Sequence, residues 1–252
     1  MRITLLGTGT STGVPVIGCH CPVCSSPDPR NKRLRPGALV ELPAGAALID
    51  TPTDLRQQAL VHGIERVDAV VYTHSHADHI LGLDEIRVFN FRQQAVIPCY
   101  GPASALANIR RTFAYSFEEG QEGGGKPKIE LLPVAGPFTL LGVEWVPVPV
   151  RHGTTEVFGY RLGPFAYVTD VSFIPEESFA LLAGVDTLVL GALRFRPHST
   201  HFSIPEAIAA AQRIGARRTL FTHLAHEVDH TAPREPLPPG VELAHDGLAF
   251  DF

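Results

Sequence analysis

Val67-Asp68-Ala69-Val70-Val71-Tyr72-Thr73-His74-Ser75-His76-Ala77-Asp78-His79 is the stretch on which the fold turns. Residues 67–72 are almost wholly apolar and rich in valine, the composition of a buried strand. Immediately after them, three imidazoles and a carboxylate fall within the six residues from His74 to His79. These are the donor types that hold hydrolytic divalent ions, so a strand ending in them reads as one half of a two-metal site. The other half is expected downstream, again at strand ends. His152 follows the apolar segment 145–150, Asp170 follows 165–168, and His223 follows 219–221. A cofactor-free domain has little reason to place such residues after four separate apolar strands.

With 252 residues, 44% of them apolar and 19% charged, the chain can bury a substantial core, as one domain or two small ones. The net charge of −5 argues against a nucleic-acid surface. Met1-Arg2 leads straight into the strand-like residues 3–6, which predicts no signal peptide. No run reaches the ~18 apolar residues that a membrane span needs. The expected location is the cytoplasm, with no membrane partner.

Three of the four cysteines, Cys19, Cys21 and Cys24, sit in a loop of Gly, Pro and Ser, whereas Cys99 lies alone in an apolar run and reads as a core thiol. Clustered cysteines in a cytosolic chain point to metal ligation rather than to disulfides. A structural zinc needs four donors, and the trio supplies three. His20 lies inside the tight turn and is awkwardly placed for the fourth. A distant residue suits better, and His226, three residues after His223, is the candidate.

Strands are expected at 3–6, 38–42, 46–49, 67–72, 97–100, 129–132, 138–141, 143–150, 157–162, 165–168, 187–190, 218–221, 242–244 and 248–250. Helices are expected at 53–62 with Thr53 as cap, at 80–88 as a short helix or helical loop, from Pro102 to about Arg111, from Pro175 to Leu182, and at 204–214. The last has Ser203 as cap, Pro205 in its first turn and Glu206 at the capping-box position. Residues 118–128, with three successive glycines, read as a mobile surface loop. No linker divides the pattern. It suits two sheets with helices outside, or one doubly wound sheet.

Thr73-His74-Ser75-His76-Ala77-Asp78-His79 matches the T-H-x-H-x-D-H motif of the metallo-beta-lactamase superfamily. The chain resembles that superfamily over essentially its whole length, including the opening Gly7-Thr8-Gly9-Thr10-Ser11. Within it, Gly18-Cys19-His20-Cys21-Pro22-Val23-Cys24 followed by Asp28-Pro29-Arg30-Asn31 is similar to the PhnP-type cyclic phosphodiesterases of phosphonate breakdown. The resemblance implies an α/β fold, an αββα sandwich of two central mixed sheets flanked by helices. It would form a single domain over 1–252 with a zinc-binding loop inserted at about 18–36. It implies one ion on His74, His76 and His152, a second on Asp78, His79 and His223, and Asp170 between them. The accessory zinc would lie on Cys19, Cys21, Cys24 and a distal histidine whose position matches His226. Asp78 thus counts among the catalytic residues as well as the ligands.

His201 precedes the Ser203 cap and reads on its own as a capping or surface histidine. The resemblance makes it the residue that contacts the phosphoryl group and protonates the departing oxygen, work for which imidazole has a suitable pKa. Asp50, after strand 46–49, either orients a ligand imidazole or caps a turn near Pro52. His198 reads as structural, and His20, His62, His230 and His245 carry no motif. Arg33 and Arg35 read as solvated loop residues, with a ribose phosphate as the sharper alternative. Gly7-Thr8-Gly9 reads as a tight turn beside the metal centre.

The function implied is hydrolysis of a small phosphodiester, a cyclic ribose phosphate or 2′,3′-cyclic nucleotide, by hydroxide made available at neutral pH by two metals. Zinc, manganese and nickel all suit a histidine–carboxylate site. The competing readings are tRNA 3′-end processing of the RNase Z type, thioester or lactone hydrolysis, and a non-enzymatic metal- or partner-binding protein. A homodimer is an expectation of the family.

Overall fold

The computed structural model describes residues 1–118, 125–233 and 235–252. The centre of the expected loop at 118–128 lies outside the described residues.

The chain forms two seven-stranded sheets. The first uses β1 (Arg2–Gly7), β2 (Gly37–Leu42), β3 (Gly45–Ile49), β4 (Ala69–Val71), β5 (Ile97–Gly101) and β6 (Ile129–Pro133), with β14 (Ala249–Asp251) returning to pair antiparallel with β1. The second uses β7 (Phe138–Leu140), β8 (Val143–His152), β9 (Thr155–Leu162), β10 (Phe165–Val168), β11 (Thr187–Gly191), β12 (Arg218–Thr222) and β13 (Val241–Leu243). Both sheets are mixed. β1, β2 and β3 are antiparallel and β3 to β6 parallel, while β7 to β10 are antiparallel and β10 to β13 parallel.

The two-residue period of the strands sorts their side chains into layers. In β10, Phe165 and Tyr167 face the other sheet, and Ala166 and Val168 face helices. In β3 and β4, Ala47, Ile49, Ala69 and Val71 point to the middle, and Leu48 and Val70 point outward. The outer face of the first sheet packs on α1 (Leu55–Val61), α3 (Ile86–Gln93) and α4 (Ala103–Thr112), that of the second on α5 (Glu176–Leu182) and α6 (Ile204–Ile214). This is an αββα sandwich with three apolar interfaces, as expected, and the single doubly wound sheet is excluded.

Local differences have local causes. The helix expected at 53–62 starts at Leu55 with Asp54 rather than Thr53 at its cap, and the Asp54 carboxylate accepts from Arg35 instead of from the helix N–H groups. The short helix or helical loop expected at 80–88 is a series of short helical pieces: α2 (Ala77–Ile80) carries the end of the histidine motif, Gly82 interrupts, and α3 runs on to Gln93. A Cβ on Gly82 would sit 2.0 Å from the Pro52 carbonyl, so the break is where the chain passes the post-β3 loop.

Candidate metal centre

Parallel strands β3, β4, β10 and β12 end on one edge of the sandwich, and each delivers polar residues there. Asp50 follows β3, Thr73 and His74 follow β4, Asp170 follows β10, and His223 follows β12. Asp50, Asp170 and His223 all have left-handed backbones, with φ of 62°, 50° and 61°. Such conformations are uncommon outside glycine and mark places where the chain turns to aim a side chain. His152 is the last residue of β8. His76 caps α2, whose single turn presents Asp78 and His79, so half of the motif is helical rather than loop.

Asp170 stands between two sets of donors. Its Oδ2 lies 3.8 Å from Nε2 of His74 and 3.9 Å from Nε2 of His152. Its Oδ1 lies 3.3 Å from Nε2 of both His79 and His223. Asp78 Oδ2 stands 3.5 Å and 3.6 Å from the same two nitrogens. His76 belongs to the first set, with donor atoms of the group all within 4.8 Å of one another.

The donor set fits divalent ions. Nε2 of His74, His79 and His223 is buried without a hydrogen-bond partner, which natural interiors rarely tolerate. The separations run from 3.3 to 3.9 Å, at or beyond the long end of hydrogen bonding. They match donors about 2.1 Å from a shared ion, which stand about 3.4 Å apart in a tetrahedron.

The opposite ring nitrogens fix the tautomers. His79 Nδ1 donates to Asp50 Oδ2 at 2.7 Å, and His152 Nδ1 donates to the Thr200 carbonyl at 2.6 Å. Thr73 donates through its N–H and hydroxyl to the two Asp50 oxygens, so its hydroxyl oxygen accepts from His74 Nδ1 at 3.0 Å. Asp50 therefore orients imidazoles and caps no turn at Pro52.

Burial and His79 hold His74 well below the usual imidazole range, and burial with His152 lowers His76. Burial would raise Asp170, but His223 and His79 outweigh it and keep the carboxylate ionised. Asp78 is likewise held low against burial by His223 and His79. His79 is pushed up, because Asp170 and Asp50 outweigh its burial.

His201 lies over the centre, its ring 4.5 Å from that of His152 and 4.7 Å from that of His223. It is no surface histidine. Burial and His223 lower it to about 3. His198 is 5.3 Å from His201 and bonds only to Thr200, in keeping with a structural reading.

The cysteine loop closes on His226 as expected. His226 Nδ1 is 3.3, 3.5 and 3.6 Å from the sulfurs of Cys19, Cys21 and Cys24. A tetrahedral zinc with thiolates at about 2.3 Å and nitrogen at about 2.0 Å sets donors about 3.6 Å apart. Backbone N–H groups of Cys24 and Val16 point at Cys21 and Cys24 sulfurs. The first lowers the Cys21 thiol to about 6, while burial raises Cys24 to about 11. Cys99 is a buried core thiol, and burial pushes it up.

Sequence reading missed several supporting residues. Arg33 is 1% exposed and bonds to the carbonyls of Ala225 and Val228, and Arg35 pairs with Asp54, so neither is a solvated loop arginine nor reaches the centre. Asp246 accepts from Thr8 and from the Leu34 N–H. Asn108 of α4 donates to Ser75 inside the motif. None of these lies in a recognisable motif; a proline-rich loop gives no sign that an arginine within it is buried.

The beta-lactamase superfamily domain matches residues 47–224. A Porphyromonas gingivalis protein named octanoyltransferase is 38% identical over 98% of this chain, which spans 51% of that relative's length. A ribonuclease Z of Mycobacterium bovis is 29% identical over 88% of this chain and 85% of its own. Among solved structures, a diphosphatase of the PhnP family shares 44% identity, with a TM-score of 0.93 over 100% of this chain and 97% of its own. No helix among the described residues is long and apolar enough to cross a membrane. With fold, donor set and full-length similarity in agreement, the chain belongs to the PhnP family of the beta-lactamase superfamily, and its site is that of a metal-dependent hydrolase.

Proposed function

We propose that this protein hydrolyses small phosphodiesters, with a five-membered cyclic ribose phosphate or 2′,3′-cyclic nucleotide as the preferred substrate. The observation that carries this reading is the division of Asp170, one oxygen toward His74 and His152, the other toward His79 and His223, whose Nε2 atoms also face Asp78. His74, His76, His152 and Asp170 would hold one divalent ion and Asp78, His79, His223 and Asp170 a second, with zinc or manganese the best matches. Cys19, Cys21, Cys24 and His226 would hold a structural zinc. The catalytic pair would supply an acidified water and shield the charge on phosphoryl oxygens.

The chain's own residues do the rest. Water adds to phosphorus, the ring P–O bond breaks, and the departing alkoxide needs a proton. His201, with its ring 4.5 Å from that of His152 and 4.7 Å from that of His223, would give it. The imidazole would draw that proton from solvent as the anionic ester binds beside it, and the proton released by the attacking water balances it. Asp50, Thr73 and the Thr200 carbonyl keep the donor imidazoles in one tautomer.

The ribonuclease Z relative supports a second reading, cleavage of a tRNA precursor, against which the net charge of −5 counts. The metal-reconstituted protein should be assayed on a cyclic ribose phosphate, a 2′,3′-cyclic nucleotide, a diphosphate ester, a tRNA precursor and a thioester. The cyclic esters should show the highest kcat/KM. Preference for the tRNA with steep salt dependence would favour the RNase Z reading. Preference for the diphosphate or the thioester would each replace the substrate class proposed, and no turnover with metals bound would leave a binding protein.

A further inference from the structure

Among the buried histidines of the centre, His223 is the exception. His74, His79 and His152 each have their second ring nitrogen in a hydrogen bond that sets the ring. His223 Nδ1 is buried and has no hydrogen-bond partner among the described residues. A ligand imidazole normally borrows its orientation from such a bond, so here the orientation must come through the backbone.

The segment after His223 is held from several sides. Leu224 donates to Thr8 at 2.8 Å and accepts from Thr10 at 3.2 Å, and Ala225 donates to Leu193 at 2.9 Å. The Arg33 guanidinium bonds to the carbonyls of Ala225 at 3.2 Å and Val228 at 2.8 Å, one on each side of His226. Its third acceptor is Asn31 Oδ1, which also accepts from the His230 N–H. Every acceptor of this buried cation is neutral. Burial lowers Arg33 to about 10, so it remains charged at neutral pH. Asp246 and Asp229 favour the charge from a distance without bonding to it, and a buried charge so held is costly beside an apolar side chain of similar volume. What an apolar side chain cannot do is fix two carbonyls. Gly9 is shaped to the same contact, since a Cβ there would lie 2.8 Å from the Arg33 carbonyl and 2.9 Å from its Cβ.

We infer that Arg33 and the Cys19–Cys21–Cys24–His226 cluster together position His223, so that ion binding at the thiolate cluster is coupled to ion binding on the His223 side of the histidine centre. This rests on reading both donor groups as metal sites. His226 is three residues from His223, and Arg33 braces the peptide on both sides of His226. An ion that draws His226 onto the three sulfurs fixes the same turn that aims the His223 ring. Arg33 is a positioning residue; it touches neither substrate nor the histidine centre.

The test uses the full chain, stripped of metal and titrated with Co²⁺. Thiolate-to-cobalt charge transfer reports the cysteine cluster, and competition with a chromophoric chelator gives the affinities of the histidine sites. In the unmodified chain, filling the cysteine cluster should tighten one histidine site and leave the other unchanged. Arg33→Met should melt cooperatively, keep the charge-transfer band, lose about 10- to 100-fold in affinity at that one site, and no longer respond to loading of the cluster. Arg33→Lys should recover part of the loss. The coupling is overturned if loading of the cluster has no effect in the unmodified chain, a result independent of whether Arg33→Met folds. It is also overturned if both histidine sites weaken in parallel in a folded Arg33→Met. Absence of the charge-transfer band in the unmodified chain would instead remove the thiolate metal site, and the coupling with it.

Discussion

Asp170 is the residue on which both donor sets depend, because its two oxygens face different imidazoles. Asp170→Ala should abolish turnover and tight binding of two ions together, as read by equilibrium dialysis beside the assay. His201 should separate from it. His201→Ala should keep the full metal content while the rate falls by roughly 10²–10⁴. That loss should shrink on a nitrophenyl phosphodiester, whose leaving group needs little protonation; equal losses on good and poor leaving groups would deny His201 the role of acid. Asp246 carries a pH signature. Burial raises its carboxyl from 3.8 to about 6 although Thr8 and Leu34 donate to it. The folded state therefore holds the proton more tightly than the unfolded one. Its effect on stability is most favourable below about pH 4 and declines as pH rises to about 6. Denaturant midpoints of wild type and Asp246→Asn should diverge across that window, and a constant offset would show that the carboxyl does not titrate there.

At the scale of elements, the strands that carry the site were legible because they are short apolar runs followed at once by polar donors. β10 and β12 could be placed, with Asp170 and His223 at their ends, from that pattern alone. α6 was legible for another reason, its Ser203–Glu206 capping box, and both halves of that box are formed. Its start fixes the end of the loop that carries His201, so Ser203→Ala should cost about 1 kcal/mol in a denaturation experiment and loosen His201 as well. The break at Gly82 was not legible, since a helical period continues across it and its marks, the close approach of the Pro52 carbonyl and the Gly82 N–H donated to Thr51, come from a distant loop. Asp54 was hidden likewise: its carboxylate is committed to Arg35 rather than to the helix N–H groups.

At the scale of the molecule, the two sheets meet through one apolar layer, and the metal centre sits along the edge where strands of both sheets end. The assignment of ligands to two sets came from family resemblance, and the distances now give it a geometry. The network behind it, from Asp246 through Thr8 and Leu34 to Arg33 and the cysteine loop, joins residues more than two hundred positions apart and left no local pattern to read. The N-terminal loop should lose its hold on the 224–230 segment when the thiolate site is emptied, so Cys21→Ser should lower the melting temperature and remove one ion while both histidine sites still bind, one of them more weakly. The most direct test of a two-ion hydrolase is stoichiometric: metal-free protein titrated with zinc or manganese while hydrolysis of a cyclic phosphodiester and bound metal per chain are followed together. Two ions at the histidine centre and one at the cysteines are expected, with turnover rising as the second histidine-site ion binds; full activity with only one ion at the histidine centre would contradict it.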